Sequence, residues 1–243
     1  MFIINRLSKL NNKSCIFKHL STKPTQEHTQ ELVNVERLTN DDKGADLKER
    51  LKLPPSDVGR RVSEIRNLAN VIENVPVPVI AAVDGAALGG GFELALSCDF
   101  IVSASNSIFG LVETRLGIIP GAGGTQRLAR VVGGSLAKEL VYTARLFNAQ
   151  QALQYGAVNR VNEQNEEGTS AYMCALQIAR EITPNGPFAV KMAKKAISHG
   201  LQVDINNGCA IEEFCYSQTI PTKDRIEGLL AFVEKRKPIY TGS

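Results

Sequence analysis

Between an apolar run and a helix-like pattern the chain reads Ala87-Leu88-Gly89-Gly90-Gly91-Phe92-Glu93. Three successive glycines let the backbone approach a ligand closely, and at the start of a helix they leave the first amide N–H groups unpaired and pointing outward. An oxyanion can sit there, because the helix dipole adds partial positive charge at that end. Glu93 is within reach of the same spot. A second carboxylate follows twenty residues later in Gly110-Leu111-Val112-Glu113, and then Gly121-Ala122-Gly123-Gly124.

The pattern around this turn is α/β. Residues 79–83 read as a buried strand, 91–97 as a short helix and 100–103 as another β-branched strand. Upstream, Ser56 or Asp57 can cap a helix whose apolar residues Val58, Val62, Ile65, Ala69 and Ile72 recur at helical spacing, and Pro76 and Pro78 end it. Downstream, helical patterns cover residues 125–132, 135–143 and 149–155, and a strand is expected at 157–161. Helices then dominate, at 168–182, 187–199, 203–219 and 223–235, separated by Pro184, Gly186, Gly200 and Pro221. Strand and helix alternate early and helices prevail late, so a core with a C-terminal helical region is expected.

With 243 residues, 43% of them hydrophobic, the chain can bury a full core. Asp84, Glu93 and Asp99 interrupt its most apolar stretch, which argues against a membrane span. The five cysteines include no Cys-x-x-Cys pair, so neither a zinc site nor a disulfide framework is indicated, and no metal is expected. Residues 1–26 carry Arg6, Lys9, Lys13, Lys18 and Lys23, several hydroxyl residues and no acid. That composition resembles a mitochondrial transit peptide and implies a matrix location, with Phe2, Ile3, Ile4, Leu7 and Leu10 lining one side of a helix. Without those bases the formal charge of +3 turns slightly negative, so nothing draws the remaining chain toward nucleic acid or anionic lipid. Residues 27–43 read as a polar linker in which 32–35 offer a short strand.

From Gly44 onward the chain resembles the crotonase superfamily of enoyl-CoA hydratases and isomerases, and within it the methylglutaconyl-CoA hydratases. The motifs are Gly44-Ala45-Asp46-Leu47-Lys48-Glu49-Arg50, the turn at 88–93, Gly110 to Glu113, residues 118–127, Ala137-Lys138-Glu139-Leu140, Gln164-Asn165-Glu166-Glu167-Gly168 and Ile220-Pro221-Thr222-Lys223-Asp224-Arg225. The resemblance implies a ββα superhelical core over 44–182, N-terminally incomplete, and a C-terminal helical oligomerisation region over 183–243. It implies that the N–H groups of Ala45 and Gly90 form an oxyanion hole for a thioester oxygen. Glu93 and Glu113 would hold the water that adds across a conjugated double bond, in leucine breakdown or fatty acid β-oxidation. Gly89 and Gly121 would line the pocket, and Lys235 would meet a CoA phosphate. The CoA belongs to the substrate, no separate cofactor is required, and relatives form trimers or pairs of trimers. Taken singly, Glu93 is a first-turn acid complementing the helix dipole and Glu113 a loop charge; the glycines between them favour the catalytic reading.

Other chemistries fare worse. His19 and His28 lie in the tail and His199 ends a helix, so a Ser-His-Asp hydrolase has no placed base. Residues 121–124 lack the Lys-Ser/Thr of a phosphate-binding loop. The chain also departs from its family: where relatives place further strands and a helix before the Gly-Ala-Asp loop, Asn40-Asp41-Asp42-Lys43 runs straight into Gly44, a gap of about 40 to 50 residues. Such a gap would expose sheet edges and weaken activity. Two alternatives follow. One is a catalytically silent subunit co-assembling with a full-length sister chain. The other is binding of AU-rich RNA, disfavoured because the lysine-studded helix credited with it falls in the gap and Lys191, Lys194 and Lys195 read as a solvated helix face.

Overall fold

The computed structural model describes residues 2–5, 33–35 and 54–243. Ala45, the motif around it, most of the expected leader and most of the 27–43 linker lie outside the described residues. A five-stranded parallel sheet has the order β2-β1-β3-β5-β8, built from β1 (Phe2–Asn5), β2 (Val33–Val35), β3 (Val79–Val83), β5 (Phe100–Ala104) and β8 (Arg160–Asn162). A smaller sheet joins β4 (Ala86–Leu88), β6 (Ile108–Gly110) and β7 (Phe147–Asn148), with β4 parallel and β7 antiparallel to β6.

β3 is buried along its whole length, as expected of an apolar strand covered on both faces. Polar side chains fix its ends. Asp99 accepts the Val79 N–H at 2.6 Å, and buried Asp84 accepts the N–H groups of Ala171 and Tyr172 at 2.8 and 3.2 Å, in the first turn of α6 (Ser170–Ile182). The other helices of this part are α1 (Pro55–Glu73), α2 (Gly90–Ala95), α3 (Gly124–Val132), α4 (Gly134–Thr143) and α5 (Ala149–Gln154). Phe92 of α2 packs against Phe109 of β6 and Phe147 of β7, with ring centroids 5.4 and 5.8 Å away. Each such pair adds about 1 kcal/mol beyond its area burial, so the small sheet pins the helix that carries Glu93.

The chain forms two compact units, divided within α6 between Leu176 and Gln177, and the second also takes in Pro76–Pro78. It contains α7 (Pro187–Gly200), α8 (Ile205–Thr219) and α9 (Lys223–Val233). The helices α7 and α8 approach closely at Gly200 and Gly208, where a Cβ on Gly208 would lie 3.4 Å from the Gly200 carbonyl oxygen. Buried Asp224 accepts the N–H groups of Thr241 and Gly242 at 2.7 and 2.9 Å and so folds the C-terminal residues back onto α9.

Several expectations change. Residues 2–5 form a strand between β2 and β3 where a helical leader was expected, so the sheet has no open position there despite the gap. α1 starts behind Pro54 with Pro55 in its first turn and no side-chain cap, because proline's fixed φ already suits a helix start. The last strand begins at Arg160 rather than 157; Ala157 and Val158 are apolar because the turn before it is buried. Lys194 is half-buried and donates to the Val77 carbonyl at 3.0 Å, and Lys195 lies over the Phe214 ring, so the lysine face is not simply solvated. No helix among the described residues is long and apolar enough to cross a membrane.

Candidate active site

The glycine turn leads from β4 into α2 as its sequence requires. Gly89 adopts φ +52°, which side-chain-bearing residues rarely do, and its N–H donates to the Gly110 carbonyl at 2.8 Å, locking the turn onto the end of β6. Gly90 opens α2, and a Cβ built there would meet nothing within 4 Å. The side-chain position at Gly90 therefore faces open space. A six-residue helix adds little dipole, so this position matters for its N–H direction.

Glu93 lies in the same turn and is 3% exposed. Its Oε1 accepts two backbone N–H groups from the second glycine-rich segment, Ala122 at 2.8 Å and Gly124 at 2.7 Å. Residue 124 must be glycine for this, since a Cβ would sit 2.9 Å from Glu93 Oε1. Glu113, 8% exposed, opens a 3₁₀ turn over Glu113–Leu116. Its Oε1 lies 3.1 Å from where a Cβ on Gly89 would be, so its carboxylate rests against the turn that precedes Gly90. The structure thus brings Gly89, Gly90, Glu93 and Glu113 together around the start of α2. The segment containing Gly121 is tied to Glu93 by the two amides. Exposed Leu116, Ile118 and Ile119 follow Glu113 and give that side an apolar character.

Lys235 is exposed, adopts φ +55° just beyond α9 and belongs to the second unit. Ala45 lies outside the described residues. Among the described residues, no group of three or more His, Cys, Asp or Glu side chains could hold a metal ion.

Sequence reasoning missed the cations behind the glycine segment. Arg66 Nε donates to the Gly121 carbonyl at 2.9 Å, and Arg127 Nη1 donates to the Ala122 carbonyl at 2.9 Å. Arg127 is itself held by Asn70 Oδ1 at 2.9 Å and Glu73 Oε2 at 2.6 Å. The spacing of Arg66, Asn70 and Glu73 along α1 marks a polar helical stripe beside the apolar one, a signal that could have been read. Thr114 and Arg115 were missed too. They donate to the carbonyls of Val141 (2.8 Å) and Ala144 (2.6 Å) and fasten the 3₁₀ turn to the end of α4.

The enoyl-CoA hydratase/isomerase family model matches residues 42–243. Mouse and human mitochondrial methylglutaconyl-CoA hydratases are each 60% identical to the chain over 199 residues, 82% of its length. The chain spans only 63% and 59% of those two relatives. Among solved structures, an enoyl-CoA hydratase from Bacillus anthracis superposes with a TM-score of 0.79 at 50% identity, covering 82% of this chain and 76% of that one.

Proposed function

The chain belongs to the enoyl-CoA hydratase/isomerase family, with its α/β fold, and from that premise we propose that it is a lyase hydrating the 2,3-double bond of an enoyl-CoA thioester. The observation that carries this reading is the pair of buried carboxylates: Glu93 in the first turn of α2, and Glu113 against Gly89 just before it, beside a Gly90 whose side-chain position is open.

In this reading the thioester oxygen lies at the Gly90 N–H, with the Ala45 N–H as second donor. Glu93 Oε1 accepts two amides, which fixes the carboxylate that meets the water. One carboxylate takes a proton from the water as its oxygen bonds to C3 and the double-bond electrons shift into the enolate. The other delivers a proton to C2 as the enolate collapses, so one water is added and nothing leaves. Amides already aimed at the developing oxyanion stabilise it without reorganising, and one such donor is worth about 3 kcal/mol. Gly89 and Gly121 shape the pocket, Lys235 meets a CoA phosphate, and no cofactor beyond the substrate's CoA takes part.

The finer reading is 3-methylglutaconyl-CoA, supported by the names of the relatives and by Leu111-Val112 before Glu113, which agrees with that type. Relatives named mitochondrial and the basic, acid-free first residues support a matrix location. A homo-trimer or hexamer is supported by α9, where Ile226, Leu229, Leu230 and Val233 make an exposed stripe at helical spacing. Neither the RNA-binding nor the silent-subunit alternative gains a supporting observation.

The test is hydration of 3-methylglutaconyl-CoA and crotonyl-CoA by the purified chain, followed as loss of the conjugated enoyl absorbance. Glu93→Gln and Glu113→Gln should each lower turnover by about a hundred- to ten-thousandfold. Wild-type turnover no greater than that of the double variant rejects the reading.

A further inference from the structure

We infer that Arg66 is a positioning residue for Glu93, acting through the Gly121–Ala122 peptide; this deepens the hydratase reading and rests on it. The carbonyl that Arg66 binds and the N–H that Glu93 binds belong to one peptide unit. Arg66 Nε donates to Gly121 O at 2.9 Å, and Ala122 N donates to Glu93 Oε1 at 2.8 Å. A trans peptide is planar with its C=O and N–H pointing in opposite directions, so pinning the oxygen on one side aims the hydrogen on the other. None of the described peptide bonds is cis.

A charged donor on the carbonyl also polarises the amide and makes its N–H the stronger donor to the carboxylate. The helix that bears Arg66 lies directly on this peptide, since a Cβ on Gly121 would fall 2.6 Å from Val62 Cγ1. Without the guanidinium, the flanking glycines leave the 121–124 segment free to rotate its peptides. Arg127 holds the next carbonyl, that of Ala122, whose peptide N–H belongs to Gly123 and is not one of the two shown donating to Glu93 Oε1, and its guanidinium fills the space beside Gly123. Arg66 is the residue to test because it is exposed, and the hydrogen bond it makes joins positions 55 apart in the chain.

The experiment uses the full chain with Arg66→Met and Arg66→Gln, hydrogen exchange read amide by amide, and the hydration assay. In both variants the Ala122 amide should exchange about tenfold faster while Val102 in β5 keeps its wild-type rate. Turnover number should fall about tenfold with KM within about twofold, because Arg66 acts on the reacting geometry and not on substrate binding. Arg66→Lys, which keeps charge and one donor arrangement, should recover part of both losses.

Wild-type exchange at Ala122 in both variants overturns the inference whatever the activity, as does a rise in KM at unchanged turnover number. Faster exchange at Val102 as well marks a general structural role and also overturns it. If the wild-type chain hydrates neither substrate but Ala122 alone loosens in the variants, the hydratase reading fails and the hold of Arg66 on the Glu93 partner stands. If the wild-type chain is active and both Ala122 and turnover are unmoved, the hydratase reading stands and the positioning role falls.

Discussion

Glu93 and Glu113 are comparably buried, yet they are supported in different ways. Glu93 is fixed at the carboxylate itself: Oε1 receives two backbone amides from a segment roughly thirty residues further along, and that segment is braced from α1 and α3 by two arginines. Glu113 is fixed from beneath. The two residues after it grip the carbonyls at the end of α4, while its carboxylate meets the bare Cα of Gly89. The first acid gains its place from distant backbone that converges on one oxygen, and the second from the turn it stands on. The same chemical group therefore has different weak points, one in the side chain's reach and one in the local backbone.

The sharpest way to break the comparison is to shorten each acid by one methylene. Glu93→Asp withdraws the acceptor from two buried N–H groups, so hydration should fall about a thousandfold, with about 1–3 kcal/mol of stability lost per orphaned amide in denaturant unfolding. Glu113→Asp should lose only about tenfold, because its turn stays fastened. Equal losses in kcat/KM and midpoint would erase the distinction.

A smaller effect is expected from crowding the fixed acid from its far side. In Gly124→Ala the new methyl lies 2.9 Å from Glu93 Oε1 and 3.0 Å from Leu111 Cδ1, and displacing the carboxylate should cost about ten- to a hundredfold in turnover. Thr114→Val removes one hydrogen bond from the support under Glu113. It should lower stability by about 1 kcal/mol and turnover only a few-fold, which thermal melting beside the hydration assay will show.

The smallest effect concerns a half-buried carboxylate paired with an arginine. The hydrogen bond from Arg236 to Glu227 holds that acid down at about 2, and Glu227 also accepts the Ile239 N–H at 2.8 Å. A depressed acid contributes stability that is complete above the ordinary carboxylate range and disappears as pH falls through about 2. The Ile239 amide resonance should therefore stay fixed down to pH 4 and move only below it; movement near pH 5 would show that the contact is not kept in solution.

Much of the α/β alternation was legible, because residues 79–83 and 100–102 are apolar runs rich in Val and Ile and the late helices are separated by proline and glycine. The small sheet was not legible. β4 and β6 are three residues long and β7 is two, too short for alternation to register, and their pairing is set by the Phe92, Phe109 and Phe147 cluster rather than by local pattern. In the site, the glycine turn and the two glutamates could be read because a chemical requirement is written into residue type. The two arginines could not be read so directly: what they hold at the glycine segment are main-chain carbonyls, and a carbonyl leaves no letter in the sequence.

The order β2-β1-β3 makes Phe2–Asn5 a bridge inside the parallel sheet. Those four residues open the segment whose composition suits an import address, and in the folded chain they are the splint between neighbouring strands. A cut among residues 6–32 would turn the splint into a separate peptide, and its departure would bare one edge of β3. Whether those four residues remain attached therefore decides whether β3 is flanked on that side by a strand of its own chain.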